Sequence, residues 1–174
     1  MSDQPAHGSC LVVGVVTGRE HQPDHVVQEA ALLARKLGDG LVIATVDPAR
    51  YEVRRNPDGS VVAFDIDPDL GEEVREEFDA SAADHLASLV EPTGVPYSLR
   101  ALAGEPATEL AALADEVDAD AIVVGTRKPG LRTGAYEFFN GSVAVHLAHR
   151  QHRPVIVIPL DPVAPGEKLP WHER

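Results

Sequence analysis

Gly104–Arg127, GEPATELAALADEVDADAIVVGTR, contains one helical and one extended pattern in immediate succession. Pro106 favours the first turn of a helix, and Leu110 and Leu113 follow at helical spacing. The next residues, Asp120–Val124, form a short apolar run that predicts a strand covered on both faces. A helix followed directly by such a strand is typical of a parallel sheet packed between helices.

The same alternation extends to both sides of this segment. Four further apolar runs predict strands at Cys10–Val16, Leu41–Val46, Tyr97–Ala103 and Val155–Ile158. Helical periodicity predicts helices from Asp24 to Leu37, from Asp67 to Leu89 and from Gly141 to Arg150. The order of these elements predicts an α/β fold, with a five-stranded parallel sheet and helices on both faces.

One stretch interrupts the alternation, Tyr51–Ile66, YEVRRNPDGSVVAFDI. Two extended patterns flank the turn-forming sequence Asn-Pro-Asp-Gly. We therefore expect a β-hairpin near residues 51–66, inserted between the second strand and the second helix. Its buried face is expected to contain Val61, Ala63 and Val53.

The composition limits the classes of function. The chain of 174 residues has 15 Lys and Arg against 28 Asp and Glu, a formal net charge of −13. This charge disfavours general nucleic-acid binding, which depends on clustered cations. A local anion site formed by backbone N–H groups at a helix start remains compatible with it.

The termini and the cysteine content give expectations about domains and location. Polar residues 1–9 and Pro-rich residues 161–174 predict two flexible tails around one folded unit, residues 10–160. The single cysteine, Cys10, allows no intramolecular disulfide and no Cys-based zinc site. No apolar run approaches the roughly 18 residues of a membrane span, and the N-terminus lacks a signal-peptide pattern. We therefore expect a cytoplasmic protein that does not contact membranes.

Several parts of the sequence resemble the universal stress protein family. The stretch Gly104–Arg127 is similar to that family's glycine, helix, Asp-Ala-Asp, apolar strand and Gly-Thr-Arg succession. Gly141-Ser142-Val-Ala-Val-His-Leu-Ala-His and Arg153-Pro154-Val-Ile-Val-Ile-Pro resemble its last helix and strand. The resemblance implies a doubly wound sheet of strand order 3-2-1-4-5 and a homodimer formed through the edge strand Val155–Ile158. It also implies a role in the stress response.

Members of this family that bind ATP carry the motif G-x2-G-x9-G-[ST] after the fourth strand. Gly125, Gly141 and Ser142 match its ends, whereas Lys128 stands at the middle glycine position. With Gly130 as the middle glycine, the pattern here becomes G-x4-G-x10-G-S. Those members also carry an aspartate at the end of the first strand that contacts the adenosine, and here Val16 occupies that position, followed by Thr17.

These matches predict a nucleotide or phosphate site where the strand order reverses, between the first and fourth strands. Glycines allow the backbone to approach phosphates, and a helix start offers free N–H groups. The expected site residues are Val16, Thr17, Val46, Gly125, Arg127, Gly130, Gly141 and Ser142. The expected ligand is ATP or AMP, with no metal required by the sequence.

The loop Gly125–Asn140 concentrates positive charge in an acidic chain, with Arg127, Lys128 and Arg132 close together. These cations favour phosphate binding. A solvated loop whose cations offset neighbouring carboxylates explains the same composition. The sequence leaves both interpretations open.

Enzymatic activity is not expected. A complete phosphate-binding loop, a dinucleotide fingerprint and a nucleophile elbow are all missing from the sequence. His146, His149 and His152 are interpreted as surface residues near a helix end rather than as metal ligands. The leading hypothesis is a regulatory domain that binds a nucleotide or related phosphate ligand. The alternative is a family member without nucleotide binding that acts through protein–protein contacts. A third hypothesis, a transferase or hydrolase on a related fold, is disfavoured because the sequence shows no candidate nucleophile or base.

Overall fold

The structure is a computed structural model that describes residues 9–16, 24–67, 73–126, 142–160 and 166. Its elements are β1 (Cys10–Gly14), α1 (Asp24–Leu37), β2 (Gly40–Asp47), β3 (Arg50–Arg55), β4 (Val61–Asp65), β5 (Glu73–Arg75), α2 (Ala80–Val90), β6 (Tyr97–Ala103), α3 (Pro106–Glu116), β7 (Ala121–Gly125), α4 (Ser142–Arg150) and β8 (Val155–Ile158). A short 3-10 turn, Glu91–Thr93, follows α2. The predicted tails, apart from Ser9 and Gly166, lie outside the described residues.

Five parallel strands form the main sheet in the order β6-β2-β1-β7-β8. In the numbering of these five strands along the chain, this order is 3-2-1-4-5. The predicted doubly wound sheet is therefore confirmed. Strand order reverses between β1 and β7, whose pairing runs from Leu11 and Ala121 to Gly14 and Val124.

Each face of the sheet is covered by its own pair of helices. Val12, Val42 and Ile122 belong to a buried cluster with residues of α3 and α4. Leu11, Val13, Ile43 and Val123 belong to a second cluster with residues of α1 and α2. The central strands are thus buried on both faces, which explains why they read as unbroken apolar runs.

The predicted hairpin is present as β3 and β4, and β5 adds a third antiparallel strand to it. In the turn between β3 and β4, Gly59 has φ of 78°, and its N–H donates to the Asn56 carbonyl over 2.9 Å. Val61 and Ala63 are fully buried against the α3 and α4 side of the core, as predicted.

The prediction that Val53 faces the core is wrong, since the structure leaves this side chain 47% exposed. The pairing of β3 with β4 shifts register between Glu52 and Arg54. This irregularity places Val53 outside the regular alternation of side chains between the two faces.

The second helix begins later than its periodicity predicts. Glu73–Arg75 pairs with β4 as a strand, and α2 begins at Ala80. The Asp79 carboxylate accepts a hydrogen bond from the Ala82 N–H over 2.8 Å and caps the helix. Val74 therefore lies on β5 and Phe78 lies in the segment between β5 and α2, although their spacing fits a helix. The expected start at Asp67-Pro68 lies partly outside the described residues.

Arg55 joins this three-stranded sheet to α3. Its guanidinium bonds Glu52 on its own strand at 2.5 Å, and Glu116 and Glu109 on α3 at 2.9 and 3.1 Å. The hydrogen bond to Glu52 raises the pKa of Arg55, which stays charged. The small sheet is therefore held against the main domain by both apolar contact and ion pairs.

Within the described part of the chain, none of the helices is both long and apolar enough to cross a bilayer.

Candidate functional site

The carboxyl ends of β1 and β7 lie side by side at the point where the strand order reverses. Gly14 of β1 pairs with Val124 of β7, directly before the last residue of that strand. In doubly wound folds, ligands bind in the crevice formed outside these strand ends. This edge of the sheet is therefore the candidate functional site.

The chain leaves β1 in an extended path held by β2. The Val15 N–H donates to the Ala44 carbonyl over 2.9 Å, and the Val15 side chain is buried. Val16 follows with a partly exposed side chain. The structure thus places Val16 at the edge, as the sequence predicts, while Thr17 lies outside the described residues.

Val46 occupies a different environment. Its side chain is buried within the cluster on the α3 and α4 side of the sheet, so it does not line an open surface. However, β2 continues to Asp47, whereas its pairing with β1 stops at Ala44. The β1 side of the end of β2 thus has no strand beside it among the described residues, and only the backbone of Val46 is suited to contact a ligand.

Gly125, at the end of β7, has no room for a side chain. A Cβ atom built there would lie 2.7 Å from Val26 Cγ2 of α1 and 3.2 Å from Leu160 Cδ1. At Gly14, at the end of β1, the nearest atom to such a Cβ is Leu110 Cδ1 of α3 at 2.7 Å, the end of a flexible side chain. Tight packing of α1 against the carboxyl edge therefore accounts for glycine at position 125, independently of any ligand.

Thr126 fixes the path of the chain as it leaves β7. Its N–H donates to the Ile158 carbonyl over 2.8 Å, and its hydroxyl oxygen accepts from the Leu160 N–H over 2.8 Å. This residue was not among those predicted for the site, although it lies in the Gly-Thr-Arg stretch that carries the resemblance. Arg127 follows directly, so Thr126 sets the position from which the glycine-containing loop departs.

The first turn of α4 packs into a buried core that it shares with β7. Val143 and Leu147 of α4 are buried in the same cluster as Ile122 and Val124 of β7, which fixes the helix against the sheet. The first N–H groups of a helix lack internal partners and carry partial positive charge. The start of α4 can therefore bind an anion.

Of the predicted site residues, the structure places Val16 just after β1 and Gly125 at the end of β7, and Ser142 is the first residue of α4. The predicted residues Thr17, Arg127, Gly130 and Gly141 lie outside the described residues, as do Lys128 and Arg132 of the loop. The side chain of Ser142 is likewise not described.

Among the described residues outside this edge, titratable side chains form no cluster with an evident chemical role. The Cys10 thiol is buried, and burial, with a smaller contribution from Asp120, raises its pKa. His146 Nδ1 lies 3.8 Å from Glu105 Oε1, and His149 is exposed. Within the ranges that the structure describes, no group of three or more His, Cys, Asp or Glu side chains is arranged to hold a metal ion.

Solved structures share this fold. A universal stress protein from Archaeoglobus fulgidus superposes with a TM-score of 0.56 at 24% sequence identity, covering 87% of this chain and 93% of that protein. A universal stress protein from the same organism, in complex with dAMP, gives a TM-score of 0.56 at 22% identity, with 88% and 99% covered. A universal stress protein family protein from Arabidopsis thaliana with AMP bound gives 0.55 at 13% identity, with 88% and 93% covered.

No match was found among curated proteins. The sequence itself matches the universal stress protein family over residues 12–159. This match extends from β1 to the end of β8 and includes the candidate site at the carboxyl edge. The chain therefore belongs to the universal stress protein family.

Proposed function

We propose that this protein is a regulatory, non-enzymatic domain that binds a nucleotide or a related phosphate ligand at the carboxyl ends of β1 and β7. The observation that supports the proposal is the reversal of strand order between these strands, on a sheet against which α4 packs through Val143 and Leu147. ATP or AMP is the expected ligand, because related structures hold dAMP and AMP. We propose residues 10–160 as the functional unit and, from the single cysteine, the cytoplasm as its compartment.

The phosphate groups are proposed to contact the backbone at Gly130 and Gly141, the hydroxyl of Ser142 and the cation of Arg127. A helix start contributes about 0.3–1 kcal/mol toward an exposed anion. That contribution alone gives weak binding, and the net charge of −13 opposes the approach of a polyanion. The cations of the loop are therefore required.

The base is proposed to lie beside Val16, Thr17 and the backbone of Val46. Val16 stands where ATP-binding relatives carry an aspartate, and a valine side chain offers no hydrogen bond to the adenosine. We therefore expect little discrimination between adenine and guanine nucleotides.

A second function is favoured by the same substitution and by the altered glycine spacing. A family member that has lost nucleotide binding would act through protein–protein contacts alone. The two functions differ in what the protein carries when it is purified.

The test is the nucleotide content of the purified protein. The protein is denatured, and the released small molecules are separated by chromatography and identified. Bound ATP, AMP or another nucleotide at a substantial fraction of the protein supports the first function. Protein that carries no nucleotide and takes up none from added ATP, AMP or GTP supports the second.

We further propose a homodimer formed through β8. This strand pairs only with β7 among the described residues, so its outer edge presents free N–H and C=O groups. Val157 on this strand is 45% exposed. Pairing with the same strand of a second copy would cover both the edge and the valine.

A further inference from the structure

A second open edge belongs to the three-stranded sheet. β5 is its outer strand and pairs on one side with β4, through Val62–Arg75, Ala63–Val74 and Phe64–Glu73. All three residues of β5 are exposed, and no other strand of the described ranges pairs with them. The free N–H and C=O groups of such an edge can bind a further strand.

The sequence of β5, Glu73-Val74-Arg75, is complementary to itself in an antiparallel arrangement. When two copies pair with Val74 at the centre, Glu73 of each copy faces Arg75 of the other. Opposite charges at directly facing positions stabilise a strand pair, and Val74, which is 37% exposed, faces its own counterpart. A parallel arrangement in register brings like charges close together, so the charge pattern selects the antiparallel one.

The rest of the sheet is compatible with this pairing. Glu73 and Arg75 share the outer face with Phe64 and Val62, their partners on β4. Tyr51 stacks on Phe64 on the same face, with ring centroids 6.2 Å apart. Pairing through β5 would therefore join two three-stranded sheets into one of six strands, whose outer face carries an aromatic pair in each half.

The existing partner of Arg75 does not prevent the contact. Arg75 lies 3.2 Å from Asp58, and both side chains are largely exposed, at 58% and 62%. An ion pair of this kind contributes little. The guanidinium also has more donors than Asp58 uses.

We propose that β5 is a self-association edge, at which two copies of this chain pair antiparallel through Glu73, Val74 and Arg75. The contact is separate from the one proposed for β8. The three-stranded sheet packs beside β6, at the opposite end of the main sheet from β8. A ladder of three residues gives a weak, concentration-dependent contact, which can add to a dimer formed elsewhere.

The test is a charge exchange measured by sedimentation in a Val157→Lys background, which removes the β8 contact. Glu73→Arg and Arg75→Glu each turn two attractive pairs into two repulsive ones and should weaken self-association by about tenfold. An equimolar mixture of the two variants, and the double variant Glu73→Arg/Arg75→Glu, both regain opposite charges at the facing positions and should associate like the background protein. Physiological ionic strength limits repulsion between the acidic copies.

Arg54→Glu is the matched control. Arg54 faces Val62 from the other side, on β3, so this variant changes the charge of the same face by the same amount as Arg75→Glu without touching the edge. Its association should equal that of the background protein. A background protein that stays monomeric at every concentration contradicts the proposal. So does a loss in the single variants that neither the mixture nor the double variant restores, and so does an equal loss in Arg54→Glu.

Discussion

The side of Gly125 that faces α1 has no space for a methyl group, since Val26 Cγ2 lies 2.7 Å from the position of a Cβ atom. We expect Gly125→Ala to lower the free energy of unfolding by about 1–3 kcal/mol, the usual cost of overpacking a core. Chemical denaturation measures this change.

A double-mutant cycle separates steric conflict from other effects of this substitution. In a Val26→Ala background, the space beside Gly125 opens, and Gly125→Ala should cost much less. An equal cost in both backgrounds would show that crowding by Val26 is not the reason for glycine at this position.

In the hairpin, burial of single residues was predicted correctly where side chains alternate regularly between the two faces of a strand, and wrongly where a register shift interrupts that alternation. Val61 and Ala63 were predicted to be buried, and they are. Val53 was predicted from the same alternation, but the register shift between Glu52 and Arg54 changes its surroundings. Such an irregularity depends on the partner strand, so the pattern of one strand does not reveal it.

At the scale of elements, Arg55 is the main polar link between the three-stranded sheet and α3. Its replacement by alanine leaves Glu109, a mostly buried carboxylate, without its cation. We expect Arg55→Ala to lower the free energy of unfolding by about 1–3 kcal/mol, the usual cost of an unpaired buried polar group. Arg75→Ala, which breaks only the exposed pair with Asp58, should change it by less than about 0.5 kcal/mol.

The effect of Arg55→Ala should depend on pH. Burial, and then repulsion from Glu52, raise the pKa of Glu109, and Arg55 opposes that rise. A carboxyl whose pKa is higher in the folded state contributes stability when protonated, and this contribution is lost as pH rises through that pKa. Removal of Arg55 should therefore destabilise the protein more at pH 7 than at pH 4, in denaturation measured at both pH values. An equal loss at both would contradict this account of Glu109.

The start of α2 shows why element boundaries were harder to predict than elements. Val74 and Phe78 fit a helical spacing, yet Glu73–Arg75 is bound to β4 as a strand. Pairing with a distant strand outweighs local periodicity in so short a segment. The strands Tyr97–Ala103 and Val155–Ile158 and the helix Asp24–Leu37 have the predicted bounds, because burial against the sheet and the local pattern agree there.

At the scale of the whole molecule, the proposed dimer depends on the free edge of β8. Val157→Lys places a charge on the exposed face of that edge, and burial of an unpaired charge is strongly unfavourable. At protein concentrations too low for the weak contact through β5, we expect this substitution to halve the molar mass of the assembly measured by light scattering. Val145→Lys, at an exposed position of α4, is the control and should leave the mass unchanged. An unchanged mass in Val157→Lys would place the contact elsewhere.

The parallel sheet, its two layers of helices and the inserted hairpin were predictable from buried apolar patterns and turn chemistry, whereas the order of the strands was implied only by the resemblance to the family. The strand ends that form the candidate edge were predictable, and the binding residues there stay a prediction. Val46 illustrates the limit, since its backbone lies at the end of β2 while its side chain is buried in the core. The conformation of the loop after Thr126 follows from no periodic pattern, so its contacts could not be worked out from residue types.

The central claim is a phosphate ligand at the carboxyl edge between β1 and β7, and calorimetric titration with ATP and GTP tests it most directly. The wild-type protein should bind both with similar affinity. Arg127→Ala should weaken binding about tenfold or more, since a hydrogen bond to a charged group contributes about 1.5–3 kcal/mol. Arg54→Ala removes an equal charge from the three-stranded sheet and should leave the affinity unchanged. The claim would be contradicted if the wild-type protein bound neither ATP nor GTP, or if it bound them no more tightly than Arg127→Ala does.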